Sequence, residues 1–177
     1  MHFYEGMKAP ILSLVFVAST AYAMPADQDP AQLEVSSPAF NANQSIPAEY
    51  TCEGAGVAPA LNWSTPPAGT RTVALLVEDP DAPNGAFTHW LVTDISPRMT
   101  HLAKGGATPA GAFAANNDKG KVGYVGPCPS DGATHHYHFH VYALDIALDQ
   151  HLARSAFSSA IQGHVLAQGE LVGTYEK

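Results

Sequence analysis

The chain has 177 residues and a formal net charge of −8, and its 8 Lys and Arg residues are too few for a nucleic-acid or anionic-membrane surface. Hydrophobic residues make up 46% of the chain and charged residues only 14%, so a core can form and a disordered chain is excluded. The 15 Gly and 14 Pro residues favour turns and short strands over long helices.

The N-terminal segment, residues 1–23, has the pattern of a secretory signal peptide. An apolar stretch precedes Ala21-Tyr22-Ala23, a small-x-small cleavage pattern, and is too short to span a bilayer. A start at Met7 would give the segment a more basic beginning than a start at Met1, and the sequence leaves both open. We therefore expect a periplasmic or secreted protein whose mature chain is one domain, residues 24–177, without a transmembrane segment.

Cys52 and Cys128 are the only two cysteines of the chain. An oxidising compartment favours a disulfide between them, which would stabilise the fold by roughly 4 kcal/mol in the chain-entropy account. Two separate buried thiols are the alternative, because free cysteines are common in protein cores.

Apolar segments between Pro and Gly turns predict short strands, followed by one helix. The predicted strands are Leu33–Ser36, Leu61–Trp63, Thr72–Glu78, His89–Ile95, Val122–Val125, His136–Leu144 and Leu171–Tyr175. The spacing of apolar residues predicts a helix over Ser155–Ala167, with Ser155 as its cap. These elements indicate a mainly β protein, an antiparallel β-sandwich with one or two peripheral helices near the C-terminus.

The motif Asp79-Pro80-Asp81-Ala82-Pro83 places two carboxylates directly after a buried strand. Each Pro fixes its own φ and restricts the residue before it, so the loop is stiff. A tight turn capped by its own Asp is the simpler interpretation.

Thr88-His89-Trp90 opens the next strand. If the two strands form a hairpin, His89 returns near Asp79, and a carboxylate beside an imidazole favours the imidazolium. The alternative is a histidine exposed at a strand end.

The segment Gly126-Pro127-Cys128-Pro129 is a rigid loop that leads through a turn into the clearest strand. The two-residue period of that strand puts His135 and Tyr137 on the core side. The opposite side carries three histidines, which could chelate Zn or Cu, although a solvated polar face is the simpler interpretation. These metal candidates are His136, His138 and His140.

The motifs DPDAP, THW, GYVGPCP and HHYHFHVYALD, in this order and spacing, resemble the phosphatidylethanolamine-binding protein family. The resemblance is closer to the bacterial YbhB/YbcL branch of Raf-kinase-inhibitor-like proteins, and it extends to IPAEYTCEG, LNW and GHVLAQGELVGTYE. It implies an antiparallel β-sandwich with a small preformed pocket for phosphoryl or other small anions, such as a phospholipid head group. The ligand-binding residues that it implies are Asp79, Pro80, Asp81, His89, Pro127, Pro129, His135 and Tyr137, with Tyr124 and the Gly126 backbone close by in sequence.

Two positions depart from the branch that the chain resembles. Ser130 stands where Pro is usual, and His136 stands where Arg is usual. Loss of the Arg removes a permanent cation near the pocket, which predicts weaker or pH-dependent anion binding.

The carboxylates raise a question, because they repel a phosphoryl group. Asp79 and Asp81 could hold His89 and His135 as imidazolium, one of them could be protonated, or they could face the cationic part of a zwitterion.

We expect a binding protein that is not an enzyme and that needs no cofactor. The motifs include neither a G-x-S-x-G elbow nor a Gly-rich phosphate loop with Lys. The alternatives are a protein-interaction or inhibitor module with an unknown protein partner, and a histidine-dependent metal binder or weak hydrolase.

Overall fold

The structure is a computed structural model that describes residues 1–2, 29–150 and 152–177. The predicted signal peptide, apart from its first two residues, lies outside the described residues. Within the described ranges, the chain has no helix with the length and apolar character needed to cross a membrane.

The regular structure of the described residues consists of nine strands, one short α-helix and two 3₁₀ turns. The strands are β1 (Ala31–Gln32), β2 (Val35–Ser36), β3 (Leu61–Trp63), β4 (Thr72–Asp79), β5 (Phe87–Ile95), β6 (His101–Leu102), β7 (Phe113–Ala114), β8 (His135–Leu144) and β9 (Val165–Tyr175). Helix α1 is Phe157–Ile161, and the 3₁₀ turns are Ala48–Tyr50 and Arg154–Ala156.

The strands form two sheets that enclose the main core. The larger sheet has six strands in the order β1-β9-β8-β4-β5-β7, and the smaller has three in the order β2-β3-β6. Strands β1 and β9 pair in parallel, and the other named pairs are antiparallel. The structure therefore confirms the predicted mainly antiparallel β-sandwich with a short helix near the C-terminus.

Strand β4 is buried on both faces, which explains its unbroken apolar sequence. On the inner face, Leu75 belongs to the same core as Trp63 of the smaller sheet. On the outer face, Leu76 packs in a second core with Phe157 of α1. Burying a side chain such as that of Phe157 contributes about 1.5–3 kcal/mol.

The predicted helix over Ser155–Ala167 is wrong in its extent and its cap. Helix α1 ends at Ile161, and Ala156, not Ser155, occupies its N-cap position. The chain then turns at Gly163, whose φ of 79° suits a residue without a side chain. Strand β9 starts at Val165 because this segment pairs with β8, and that pairing prevails over a weak helical pattern.

The predicted strand Val122–Val125 is also absent. Val122 forms only an isolated bridge with Asn116, and the Val125 amide donates to the His89 carbonyl oxygen at 3.0 Å. This segment is therefore a loop that lies against the start of β5.

Candidate functional site

A cavity of about 210 Å³ opens at one end of the larger sheet, where its central strands terminate. Strand β4 is antiparallel to both β5 and β8, so the end of β4 meets the starts of its two neighbours. This topology brings together Asp79, His89 and His135, which lie far apart in sequence. The cavity is lined by Asp79, Ala82, Pro83, Asn84, Gly85, Phe87, His89, Lys119, Val125, Gly126, Cys128, Pro129, Ser130, Asp131, His135 and Tyr137.

The sequence-predicted site residues divide into two groups. Those that line the cavity are Asp79, His89, Gly126, Pro129, His135 and Tyr137. Those that do not line it are Pro80, Asp81, Tyr124 and Pro127.

His135 is held between two carboxylates. Its Nδ1 lies 2.7 Å from Oδ2 of Asp79, and its Nε2 lies 3.1 Å from Oδ2 of Asp131. Burial disfavours the imidazolium, but the hydrogen bonds to Asp79 and Asp131 outweigh that cost and raise the pKa of His135 above its ordinary value. A carboxylate on each nitrogen favours a ring that carries both protons, so His135 places a cation in the cavity wall.

His89 has the opposite character. Burial lowers the pKa of His89 below its ordinary value, and the hydrogen bond to the Val125 carbonyl only partly offsets this. Its Nδ1 lies 2.7 Å from the Val125 oxygen, which can only accept, so Nδ1 carries the proton. In the neutral ring, Nε2 therefore has a lone pair and can accept from a protonated ligand oxygen.

Tyr137 lies between the two histidines of the cavity. Its ring is 5.2 Å from that of His89 and 6.4 Å from that of His135, measured between ring centroids. The hydroxyl oxygen is buried and has no hydrogen-bond partner among the described residues. Burial, together with the charge of Asp79, raises the pKa of Tyr137, so the hydroxyl stays protonated and can donate.

Asp81 does not face the cavity but binds His136 on the other side of β8. Its Oδ2 accepts from the His136 amide at 2.9 Å and lies 2.8 Å from Nδ1 of the same residue. These hydrogen bonds lower the pKa of Asp81. The hydrogen-bond partner of Asp81 is therefore His136 and not a cavity histidine. Asp79 is the one member of the pair beside a cavity histidine.

Tyr124 and Pro127 support the cavity loop from behind. The Tyr124 hydroxyl donates to the Tyr50 carbonyl oxygen at 3.0 Å, and the Pro127 carbonyl accepts from the Cys52 amide at 3.0 Å. A Cβ on Gly126 would lie 2.7 Å from the Tyr50 carbonyl oxygen, so this close packing requires glycine.

The predicted disulfide joins the cavity loop to the loop after residues 48–50. Cys52 and Cys128 are bonded, with their Cα atoms 5.4 Å apart, and the bond links positions 76 residues apart in sequence. Because Cys128 lines the cavity, the disulfide is part of the cavity wall.

Among the lining residues that the sequence analysis did not predict, three have aromatic or charged side chains: Phe87, Lys119 and Asp131. Phe87 opens β5, and Lys119 places its Nζ 5.9 Å from the centroid of the Phe87 ring. Asp131 lies in a turn four residues before His135, a spacing that could have identified it. For Lys119, no spacing or motif connects it to the cavity.

The three histidines of the predicted metal stripe do not converge. His136 binds Asp81, whereas His138 and His140 both lie next to Glu170 on β9. The group that could hold a metal among the described residues is thus His138, His140 and Glu170, in place of the predicted histidine trio.

Comparison with known proteins identifies the family. The model of the family "Phosphatidylethanolamine-binding protein" matches residues 36–176, and the chain belongs to this family.

Among its relatives, a UPF0098 protein of Chlamydia muridarum is 40% identical over 154 residues, which cover 82% of this chain and 99% of that protein. A Mycobacterium tuberculosis protein named as lipoprotein LppC is 44% identical over 147 residues, covering 81% of this chain and 72% of its own length.

Two solved structures are similar over most of the chain. The phosphatidylethanolamine-binding protein homologue CT736 from Chlamydia trachomatis has a TM-score of 0.76 and 38% identity, and the match covers 82% of this chain and 98% of that one. Escherichia coli YbcL, described as a member of the mammalian family, has a TM-score of 0.76 and 31% identity. The match covers 83% of this chain and 99% of YbcL. At these identities, the likeness extends to sequence as well as fold.

Proposed function

We propose that this protein is an exported member of its family that binds a small anionic or phosphoryl-bearing ligand in the cavity at the end of β4. The observation that carries this proposal is the buried Tyr137 hydroxyl, which has no partner among the described residues. An unpaired buried donor costs about 1–3 kcal/mol, and a ligand oxygen in the cavity would remove that cost.

The two carboxylates of the cavity wall are balanced by two cations. Asp79 and Asp131 both contact His135, whose imidazolium offsets one of their two negative charges. Lys119 adds a second cation to the cavity wall. Because His136 binds Asp81 outside the cavity, Lys119 and His135 carry the positive charge of the cavity wall.

The donor and acceptor groups suit a partly protonated oxyanion. The Tyr137 hydroxyl donates, His135 supplies positive charge, and the lone pair of His89 accepts from a P–OH group. A cavity of about 210 Å³ is small enough to select inorganic phosphate or a head group such as phosphoethanolamine over a larger ligand.

Binding without catalysis accounts for these groups. The thiol of Cys128 is in a disulfide, which removes the strongest nucleophile from the cavity wall. The proposed protein therefore holds its ligand without covalent chemistry and needs no cofactor.

Two observations support export. A disulfide that spans 76 residues persists in an oxidising compartment. A relative that is 44% identical is named as a lipoprotein. Together with the signal-peptide pattern of residues 1–23, these observations favour the periplasm or the cell exterior.

The test is a calorimetric titration of the protein with inorganic phosphate, with Tyr137→Phe as the variant. We expect the variant to bind phosphate about tenfold more weakly or worse, since a hydrogen bond to a charged group is worth about 1.5–3 kcal/mol. Its thermal stability should not fall, because the hydroxyl has no partner to lose among the residues that the structure describes.

Tyr142→Phe is the matched control, because Tyr142 lies on the same strand and packs against Phe157 on the outer face. This control should bind phosphate as the wild type does. Equal phosphate affinity in Tyr137→Phe and wild type, or no binding by wild type, would contradict the proposal.

A further inference from the structure

The outer face of the larger sheet carries a cluster that the anion cavity does not use. His138 and His140 alternate with core residues along β8, so both project to the same side. Their rings stack at a centroid separation of 5.7 Å, with 21° between the planes. In register, His140 is directly opposite Glu170 of β9.

One carboxylate oxygen joins the two rings. Oε1 of Glu170 lies 2.6 Å from Nδ1 of His138 and 3.3 Å from Nδ1 of His140. The ligand atoms of the three residues all lie within 4.8 Å of one another. Nitrogen and oxygen ligands around a tetrahedral Zn²⁺ lie about 3.3 Å apart. The cluster therefore reaches that arrangement with side-chain shifts of less than about 1 Å.

A second carboxylate orients one of the rings. Oε1 of Glu78, on β4, lies 3.4 Å from Nε2 of His140. Glu170 lies beside Nδ1 of the same ring. When an ion displaces one proton from His140, the Glu78 carboxylate favours keeping the other on Nε2, so Nδ1 becomes the ligand atom. Metal-binding histidines commonly have such a carboxylate on the nitrogen away from the ion.

The cluster is accessible to an ion from solution. The side chains of His138 and His140 are 27% and 21% exposed, and that of Glu170 is 40% exposed. A depression of about 300 Å³, lined by His140, Glu170 and Tyr142 among others, adjoins the cluster and leaves room for a water or a further ligand.

We propose that His138, His140 and Glu170 form a binding site for a late first-row divalent cation such as Zn²⁺ or Cu²⁺, with Glu78 as a positioning residue. Two imidazoles and one carboxylate suit these ions better than Mg²⁺ or Ca²⁺, which prefer oxygen ligands alone. The site has open coordination positions, because three protein ligands leave at least one for solvent. The carboxylates of Glu78 and Glu170 also favour a cation over an anion on this face.

The test is a calorimetric titration of the full chain with Zn²⁺, with a Mg²⁺ titration alongside. The variants His138→Gln, His140→Gln and Glu170→Gln should each weaken Zn²⁺ binding by roughly 10- to 100-fold or more, since even outer partners of a metal site cost that much. Glu78→Gln should weaken it by about tenfold, because Glu78 acts through His140. Mg²⁺ should not compete.

Two control variants separate this site from ordinary surface histidines. His136→Gln removes the third histidine of the same strand face, whose side chain is 50% exposed and bound to Asp81. His164→Gln removes a separate histidine–carboxylate pair. Both should bind Zn²⁺ as the wild type does.

A second measurement reports on the site directly and does not depend on variants. Addition of Cu²⁺ should broaden the imidazole NMR signals of His138 and His140 before that of His136. Wild-type protein that does not bind Zn²⁺, controls that lose as much affinity as the cluster variants, or uniform broadening of all histidines would overturn the proposal.

Discussion

Nδ1 of His135 lies 2.7 Å from Oδ2 of Asp79, and their side chains are only 4% and 6% exposed. The pair joins the last residue of β4 to the first residue of β8, 56 positions apart in sequence. The pair thus holds these two strand ends together beside the cavity, and it also keeps the His135 imidazolium in position.

Asp79→Asn should destabilise the protein, because it replaces the buried carboxylate partner of His135 with a neutral amide. We expect a loss of about 3 kcal/mol in the free energy of unfolding, measured by urea denaturation near neutral pH. Asp145→Asn is the matched control, since the Asp145–His164 pair has a similar 2.9 Å separation but both side chains are 43% exposed. A surface pair contributes at most about 1 kcal/mol, so equal losses in the two variants would contradict the role of Asp79.

The two cavity histidines should titrate on opposite sides of the ordinary histidine pKa of about 6.5. Hydrogen bonds to Asp79 and Asp131 outweigh burial and raise the pKa of His135, whereas burial lowers the pKa of His89. NMR titration of the imidazole protons measures both, with His135→Gln and His89→Gln assigning the signals. A lower pKa for His135 than for His89 would show that the carboxylates do not raise the pKa of His135.

These directions fix the sign of two contributions to stability. The raised pKa of His135 gives stability that is complete below the ordinary histidine value and is lost as the pH rises through its folded pKa. The lowered pKa of His89 gives stability that is present above the ordinary value and is lost as the pH falls through its folded pKa. We therefore expect His135→Gln to have a lower free energy of unfolding than the wild type at acidic pH. This difference should shrink at alkaline pH.

Asp131→Ala should strengthen phosphate binding at about pH 5, below the ordinary histidine pKa. The Asp131 carboxylate lies 3.1 Å from Nε2 of His135 and so occupies the position that a ligand oxygen would take. Its side chain is 45% exposed at the cavity mouth, so its removal leaves the buried pair intact. Calorimetry with phosphate measures the change, and weaker binding by Asp131→Ala would mean that Asp131 helps the ligand instead of competing with it.

Reduction of the Cys52–Cys128 bond should lower both stability and phosphate affinity. The bond constrains 76 residues of the unfolded chain, for which the chain-entropy account gives roughly 4 kcal/mol. Affinity should fall as well, because Cys128 and Pro129 both line the cavity. The double variant Cys52→Ser/Cys128→Ser is the control for effects of the reductant itself. Lower stability with unchanged affinity would limit the disulfide to a scaffold role.

The sequence predicted the strands that position the site, but it did not predict the start of β9 or the short strands β6 and β7. Strands β4 and β5 are largely apolar segments between turns, and β8 alternates between buried and more exposed side chains; both patterns are local signals for a strand. The first three residues of β9 were predicted as helix, because the pairing of β9 with β8 is a long-range contact that local spacing does not contain. The two-residue strands β6 and β7 are too short to have a pattern.

In the site too, local sequence patterns predicted some positions, whereas long-range contacts decided the others. Strand alternation correctly put His135 and Tyr137 on the core side, where both are buried. Asp81 lies beyond the end of β4, where the chain has left the sheet and alternation no longer sets direction, so its contact with His136 was not predicted. Lys119 reaches the cavity from a loop, which only the three-dimensional arrangement reveals.

The most direct test of anion binding is a crystal structure of the protein soaked with phosphate. We predict a phosphoryl group between His89, His135 and Tyr137, with one of its oxygens within hydrogen-bonding distance of the Tyr137 hydroxyl. A cavity without phosphate at a concentration that saturates the protein in solution, or phosphate bound only elsewhere, would contradict the proposed function.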